Sequence, residues 1–269
     1  MPDFTAKRVV VTGCSSGVGA AAVTELAAQG ATVIGVDRVA STDPAVTRMV
    51  VGDLSTHDGV RAIADQIEGP VDALINNAGV AATLPWRTVL SVNALAPRDL
   101  TRALLPKFGP EPAVVTTASQ AGFMWQQNFA RLNAFLAIDD WDAALDSLAD
   151  FPDIDTACYN LSKEAAIINS GNLAVDAKHI GLRSNSVSPG TIETPLLPDF
   201  TATMGADNIH GAAVWAGRHA RADEIAAVLV FLASSEASWI SGADIPVDGG
   251  LSSMVFRNYI APAMAAAAQ

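Results

Sequence analysis

The chain is short of cysteine, of positive charge and of long apolar runs, and each shortage removes a class of function. Its two cysteines, Cys14 and Cys158, lie far apart in 269 residues, too few and too distant for a disulfide framework. They read as reduced, small apolar side chains, and neither has a spaced partner for metal or redox work. The four histidines, His57, His179, His210 and His219, show no ligand spacing. Lys and Arg number 16 against 28 Asp and Glu, a formal net charge of −12. A polyanion such as DNA is repelled by that field, and the same sign disfavours an acidic carrier protein as the bearer of a substrate. No apolar run approaches the length of a membrane span, and Met1 to Arg8 lack the apolar stretch of a signal peptide. The expectation is a soluble, cytoplasmic protein with no nucleic-acid or membrane partner.

Apolar side chains are plentiful: half of the residues are hydrophobic, enough to bury a large core in one domain. Short β-branched runs at Arg8–Thr12 and Thr32–Val36 read as buried parallel strands. Further strands are predicted at Arg48–Val51, Ala73–Ile75, Ala113–Thr117, Leu182–Val187 and Ala243–Val247. Helices are predicted at Ala20–Gln29, stopped by Gly30, and at His57–Gln66, Val89–Leu105, Tyr159–His179 and Ala222–Leu232. Alternation of this kind, with right-handed crossovers, predicts a single α/β domain over residues 1–269, built on a doubly wound parallel sheet with helices on both faces. Two segments break the rhythm: an insertion over 120–158, and a segment over 196–221 with Pro198, Gly205 and Gly211. The tail from Ala261 to Gln269 is low in complexity, and no function is assigned to it.

Between the first strand and the first helix runs Thr12-Gly13-Cys14-Ser15-Ser16-Gly17-Val18-Gly19. Glycines there permit a tight turn and let backbone N–H groups approach a pyrophosphate, while the helix presents its positive end to the charge. A glycine cluster alone is weak evidence; its strand–turn–helix setting is what points to a dinucleotide. Asp37 closes the second strand, where a carboxylate accepts hydrogen bonds from the adenosine ribose and repels the 2′-phosphate of NADP. The expected cofactor is therefore NAD rather than NADP. Ser16 offers no positive charge to offset Asp37, and Arg38 is the one dissent, able to pair with a 2′-phosphate if it turns inward. Asp53-Leu54 after the third strand is placed to flank the adenine. Asn76-Asn77-Ala78-Gly79 after the fourth combines small residues with amides that can fix the loop.

Tyr159 and Lys163 stand four apart, so they share a helix face if Tyr159-Asn160-Leu161-Ser162-Lys163 opens a helix. A free phenol has a pKa of about 10, and a neighbouring ammonium favours the phenolate and lowers that value. The pair then forms a tuned proton donor or acceptor. Taken alone it is weak evidence; the glycine turn and Ser119 at the end of the fifth strand strengthen it.

With these residues in hand, the chain resembles the single-domain short-chain dehydrogenase/reductases over roughly Lys7 to Leu251. The markers are Thr12, Gly13, Gly17 and Gly19, Asn76-Asn77-Ala78-Gly79, Asn93, Ser119, Tyr159 with Lys163, Ser188-Pro189-Gly190 with Thr194, and Val247-Asp248-Gly249-Gly250. The resemblance implies a Rossmann fold and a set of roles. Tyr159 exchanges a proton with the substrate oxygen, Ser119 hydrogen-bonds that oxygen, and Lys163 holds the nicotinamide ribose. Asn93 supports a water chain that relays the proton. Pro189 and Gly190 touch the cofactor, and Ile192 and Thr194 hold the carboxamide. It also implies a homo-oligomer, dimer or tetramer.

Two departures from the plainest members, a short segment between Gly79 and Asn93 and a long one between Ser119 and Tyr159, resemble the bacterial 3α-hydroxysteroid dehydrogenase/carbonyl reductase branch. That branch implies secondary alcohols and ketones on alicyclic, aromatic or steroid-like skeletons. In the insertion, Trp125, Phe129, Leu132 and Leu136 recur at helical spacing, as do Trp141, Leu145 and Leu148, while Asp139, Asp140, Asp142 and Asp146 face water or start a helix. The apolar stripe either packs on the domain or, from Phe123 to Phe135, walls an apolar substrate pocket. Leu196 to Trp215 suits a substrate lid. Two further functions compete: a non-enzymatic dinucleotide sensor, and a 3-oxoacyl-carrier reductase whose carrier touches Arg98 and Arg102.

Overall fold

The computed structural model describes residues 2–267. Seven strands form one parallel sheet: β1 (Arg8–Thr12), β2 (Thr32–Asp37), β3 (Arg48–Val51), β4 (Val71–Asn76), β5 (Phe108–Thr117), β6 (Arg183–Pro189) and β7 (Asp244–Val247), in the spatial order 3-2-1-4-5-6-7. The strands are apolar on both faces because both are covered. On one face Val10, Ile34, Leu74 and Val114 point into a core, while Val9, Val11, Ile75 and Val115 point into a second core on the other. Helices α1 (Gly17–Ala28) and α10 (Ala222–Ala233) cover the second core. Helices α2 (His57–Gln66), α4 (Ala96–Leu104) and α7 (Ile154–Asp176) cover the first. The order reverses between β1 and β4, which opens a crevice at the carboxyl ends of those strands. This is the doubly wound, Rossmann-like domain expected from the alternation.

Three boundaries differ from the sequence expectation in ways that matter. The helix carrying Tyr159 begins at Ile154, so Tyr159 lies in its second turn rather than opening it. Its start is marked by Asp153 in a left-handed conformation and by Asp155 in the first turn, where a carboxylate suits the helix dipole. The helix expected from Val89 begins at Trp86 as α3 (Trp86–Leu90) and passes through a wide π turn, Ser91–Leu95, before continuing as α4. The first helix begins at Gly17, inside the glycine loop.

The insertion forms α5 (Trp125–Ala137) and α6 (Trp141–Asp146). Leu132, Phe135 and Leu136 bury against Leu161, Ala165 and Ile168 of α7, joined by Trp141, Leu145 and Leu148. Phe129 is 42% exposed. Two amides tie the helices: Asn128 donates to Glu164 Oε2 at 2.8 Å, and Asn172 to Asn133 Oδ1 at 2.8 Å. Asp140 caps α6 by accepting from the Ala143 N–H at 2.8 Å, while Asp139 and Asp146 are exposed, as their sequence positions suggest. Arg98 does not reach solvent to meet a carrier. It is 1% exposed, and its guanidinium donates to the carbonyls of Leu136 (3.2 Å) and Ile138 (2.7 Å), groups that the end of α5 leaves unpaired. Arg102 pairs with Asp139 at 3.1 Å.

The segment over 196–221 forms α8 (Leu197–Met204) and α9 (Ala206–Ala216), joined at Gly205 with φ of 89°. Its base is clasped by a bridge between Ile192 and Ala220. Helix α11 (Leu251–Val255), a second π turn and α12 (Ala261–Ala267) end the described chain; Ala268 and Gln269 of the low-complexity tail lie outside it. Among the described residues no helix is long and apolar enough to cross a membrane, and no cluster of three or more His, Cys, Asp or Glu side chains is placed to hold a metal. Cys14 and Cys158 are free and buried.

Candidate active site

The crevice between β1 and β4 widens into a cleft of about 1010 Å³, bounded by the loops after β1 to β6 and roofed by α8 and α9. That volume is at the upper end of ordinary ligand sites. Of the residues singled out in the sequence, Gly13, Ser15, Ser16, Gly17, Val18, Asp37, Arg38, Asp53, Leu54, Asn77, Ala78, Gly79, Ser119, Tyr159, Lys163, Pro189, Gly190, Ile192 and Thr194 all line it. Gly19 and Asn93 do not, and both act from behind the wall.

The glycine loop is shaped by close backbone approach. A Cβ on Gly13 would sit 2.8 Å from Ala78 Cα, and one on Gly19 would lie 1.9 Å from the Gly13 carbonyl oxygen. Gly19 is thus required by the loop's own fold rather than by contact with a ligand. Asn77 holds the two loops together: its amide nitrogen reaches the carbonyls of Thr12 (3.3 Å) and Gly13 (3.4 Å), and its oxygen accepts from Thr117 Oγ1 at 3.2 Å. Asn76 instead points inward, donating to Thr101 Oγ1 at 3.1 Å. The result is a backbone cradle at the amino end of α1, the arrangement that accepts phosphate groups. At the same end of the cleft Asp37 accepts from the Ser15 N–H at 3.0 Å and the Val39 N–H at 3.3 Å. Asp53 accepts from the Ser55 N–H and hydroxyl, both at 2.8 Å. The residues present fit a dinucleotide: a cradle bared of side chains, with a carboxylate at the end of β2.

At the other end stand Ser119, Tyr159 and Lys163. Ser119 Oγ accepts from the Ala121 N–H at 3.1 Å, and its hydroxyl stands close enough to the Tyr159 phenol to favour its ionised form. Lys163 Nζ donates to the Thr117 carbonyl at 2.9 Å. Asn93 makes no wall. Its nitrogen donates to the Val80 carbonyl (2.9 Å) and Ser162 Oγ (3.1 Å), and its oxygen accepts from the Val80 N–H at 2.9 Å. The wide π turn carries Asn93, and the amide is committed to fixing the Gly79–Val80 loop against α7.

The net shift at Tyr159 is upward, because burial outweighs what its neighbours contribute. Burial pushes the phenol up to about 12, against which the Ser119 hydroxyl acts only in part. Burial also brings the Lys163 ammonium down to about 8. The physical reason is that both charged forms lose water, and Nζ lies 5.7 Å from the centroid of the Tyr159 ring, held by Thr117. A neutral phenol beside an ammonium can give a proton to a developing alkoxide, a far stronger base.

The floor and roof near Tyr159 are apolar. Val80 and Ala121, with Phe200 and Met204 of α8, pack around Val89, Cys158 and Tyr159, and Leu84 also lines the cleft. The Phe200 ring meets Tyr159 edge-on at 5.1 Å. The lid reading of Leu196 to Trp215 is consistent with this placement, as Leu196, Leu197, Phe200, Met204, Ile209 and Ala212 line the cleft. No residue from Phe123 to Phe135 does, so the insertion packs on α7 and the pocket-wall alternative is set aside. Sequence reading missed Val80, Leu84, Thr88 and Gln120. The short segment before Asn93 carried the signal for the first three, and the position next to Ser119 carried it for Gln120.

Two family models match the chain, one described as short chain dehydrogenase over residues 7–134 and one as Enoyl-(Acyl carrier protein) reductase over residues 147–252. Coniferyl-alcohol dehydrogenase of Pseudomonas sp. strain HR199 is 36% identical over 257 residues, covering 93% of this chain and 98% of that protein. The 3-alpha-hydroxysteroid dehydrogenase/carbonyl reductase of Comamonas testosteroni is 31% identical over 258 residues, covering 92% and 97%. The solved structure of 3-alpha-hydroxysteroid dehydrogenase from Pseudomonas sp. B-0831, complexed with NADH, matches with a TM-score of 0.82 at 28% identity, covering 94% of this chain and 99% of that one.

Proposed function

Since the chain belongs to the short-chain dehydrogenase/reductase family, we propose that it is an NAD(H)-dependent oxidoreductase interconverting a secondary alcohol and a ketone on an apolar, alicyclic, aromatic or steroid-like skeleton. The observation that carries this reading is the cleft itself: one space joins a side-chain-free phosphate cradle and Asp37 to Ser119, Tyr159 and Lys163. Similarity to dehydrogenases of coniferyl alcohol and of 3α-hydroxysteroids supports the substrate class.

In ketone reduction the Tyr159 hydroxyl gives its proton to the substrate oxygen, and in alcohol oxidation it takes one back. The Ser119 hydroxyl donates a hydrogen bond to the same oxygen and stabilises its developing charge. Lys163, anchored on Thr117, holds the ribose and keeps positive charge beside the phenol. Asn93 fixes the Gly79–Val80 loop that forms one wall. Bound nicotinamide supplies the hydride in one direction and accepts it in the other. The apolar side chains of α8 close over the substrate and exclude water.

The test is a screen of NADH oxidation and NAD⁺ reduction across cyclic, aryl and steroid ketones and alcohols; no turnover of any would sink the proposal. Two expected results sharpen it. Asp37→Ala removes the carboxylate that would oppose a 2′-phosphate. The NADP to NAD ratio of kcat/KM should then rise at least about tenfold, or ~1.4 kcal/mol; an unchanged ratio would take the preference away from Asp37. The second concerns pH. Reduction uses the protonated forms of both Tyr159 and Lys163, and Lys163 is the first to lose its proton, at about 8. The kcat/KM for a ketone should be steady in acid and fall as pH rises through that value. A profile that climbs through it would contradict the assignment.

A further inference from the structure

We propose that Asp199, on the helix that roofs the cleft, is a charge filter that turns away substrates bearing a carboxylate or phosphate and favours neutral or positively charged ones; this rests on the dehydrogenase reading above and narrows its substrate class. Among the residues that line the cleft, Asp37, Arg38 and Asp53 carry charge near the phosphate cradle, while Lys163 and Asp199 carry it elsewhere. Lys163 is 5% exposed, and its ammonium is bound to the Thr117 carbonyl at 2.9 Å. With the ribose as its other partner, it leaves nothing for an anionic group carried by the substrate. Such a group finds no other lysine or arginine in the wall beyond the cofactor.

Asp199 is in the opposite state, a carboxylate without a counter-ion. Its main-chain carbonyl accepts from Thr203 Oγ1 at 2.9 Å, but among the described residues its side chain joins none of the ion pairs. It is half-buried, so salt screens it less than it screens a charge on open surface. An acid in the first turn of a helix suits the dipole whichever way it points. Asp207 does that for α9 while exposed and away from the cleft; Asp199 differs in lining it. The next residue, Phe200, meets the Tyr159 ring edge-on at 5.1 Å. Neighbouring side chains on a helix diverge by about 100°, so the carboxylate flanks the reacting end rather than covering it. Like charges repel more strongly in a cleft cleared of water than in bulk solvent, and the net charge of −12 adds to that repulsion. A neutral substituent meets no such barrier, and an ammonium gains a partner.

The experiment measures kcat/KM with NADH for ketones of one shape and different charge. 4-Acetylbenzoate is set against 4-acetylbenzamide and 4-(aminomethyl)acetophenone, and 4-oxocyclohexanecarboxylate against its carboxamide. A compound that is not reduced is scored instead as a competitive inhibitor of a ketone found active in the screen above. In the unaltered chain each amide should exceed its acid by about tenfold or more, and the amine should at least equal the amide. In Asp199→Asn the ratio of amide to acid should fall to within about threefold of unity. Asp207→Asn removes the same charge from the same lid outside the cleft, and should leave the ratio within about twofold of its original value. An acid handled as well as its amide overturns the proposal, as does a ratio that Asp207→Asn shifts as far as Asp199→Asn. A purely structural Asp199 would lower all the compounds together and leave the ratio standing, which also overturns it. So does a cleft that neither reduces nor binds any of them. Absence of any active ketone in the screen removes the dehydrogenase reading itself, a result distinct from acids and amides reacting alike.

Discussion

Tyr159→Phe should lower turnover by roughly 10²- to 10⁴-fold while NADH still binds within a few-fold of its original affinity. The substitution removes one oxygen and little else. The ring stays packed between Val89, Cys158 and the edge of Phe200. The Ser119 hydroxyl beside it keeps its bond from the Ala121 N–H, so the fold loses little. Lys163 keeps its bond to the Thr117 carbonyl, and the glycine cradle is untouched. What disappears is the group that moves the proton, so the loss should fall on kcat in single-turnover measurements and leave a fluorescence titration with NADH nearly unchanged. Near-normal turnover would remove Tyr159 from its role. A parallel loss of NADH affinity would mean that the ring, not the hydroxyl, was being tested.

Gly19→Ala should abolish measurable NADH binding or weaken it by more than about 100-fold, with a fall in stability of at least ~1–3 kcal/mol. The reason is steric and lies in the backbone. The new Cβ would sit 1.9 Å from the Gly13 carbonyl oxygen and 2.7 Å from Asn77 Nδ2. A side chain could rotate away, but the carbonyl belongs to a loop tied to β2 through the Gly13 N–H bond to Val36 O at 2.8 Å. Relief has to come from moving the loop or the start of α1, and either one deforms the cradle. Thermal unfolding followed beside an NADH titration separates the two losses. A variant that binds NADH normally would show that the loop has slack the close contacts deny.

Much of this architecture was legible because parallel strands buried on both faces leave an unmistakable apolar run, as in Arg8–Thr12 and Thr32–Asp37. The cofactor end was legible too, since a glycine turn between a strand and a helix has few other uses. The remaining features left weaker marks. Asp153 and Asp155 suit a helix start, but Asp140 and Asp142 in the insertion do the same, so the sequence alone places Tyr159 one turn too early. The stripe of Leu132, Leu136, Trp141 and Leu145 announces that it packs, but amphipathicity does not name the partner, and only the fold shows it against α7. Arg98 on a helix looks free to meet a carrier because its acceptors, Leu136 O and Ile138 O, lie about forty residues away. The net ionisation of Tyr159 is hidden from the sequence for a related reason. Spacing reports the neighbour, Lys163, while the direction of the shift depends on how much water both groups lose.

The π turn at Ser91–Leu95 bears on how this chain tolerates insertions and deletions. It holds one more residue than an α turn would, and that extra residue sets the phase between Asn93, which meets Val80 and Ser162, and Arg98, which meets the end of α5. Residues 82–85, half-buried or exposed, lie ahead of α3, so their length can change without disturbing the helix that follows. Losing one residue from α4, between the turn and Arg98, is another matter. Everything after it would rotate by about 100°, and Arg98 would swing away from the carbonyls it satisfies. The permissive and forbidden zones for length variation thus lie on either side of one wide helical turn, where the variable wall of the cleft is joined to the constant frame of the domain.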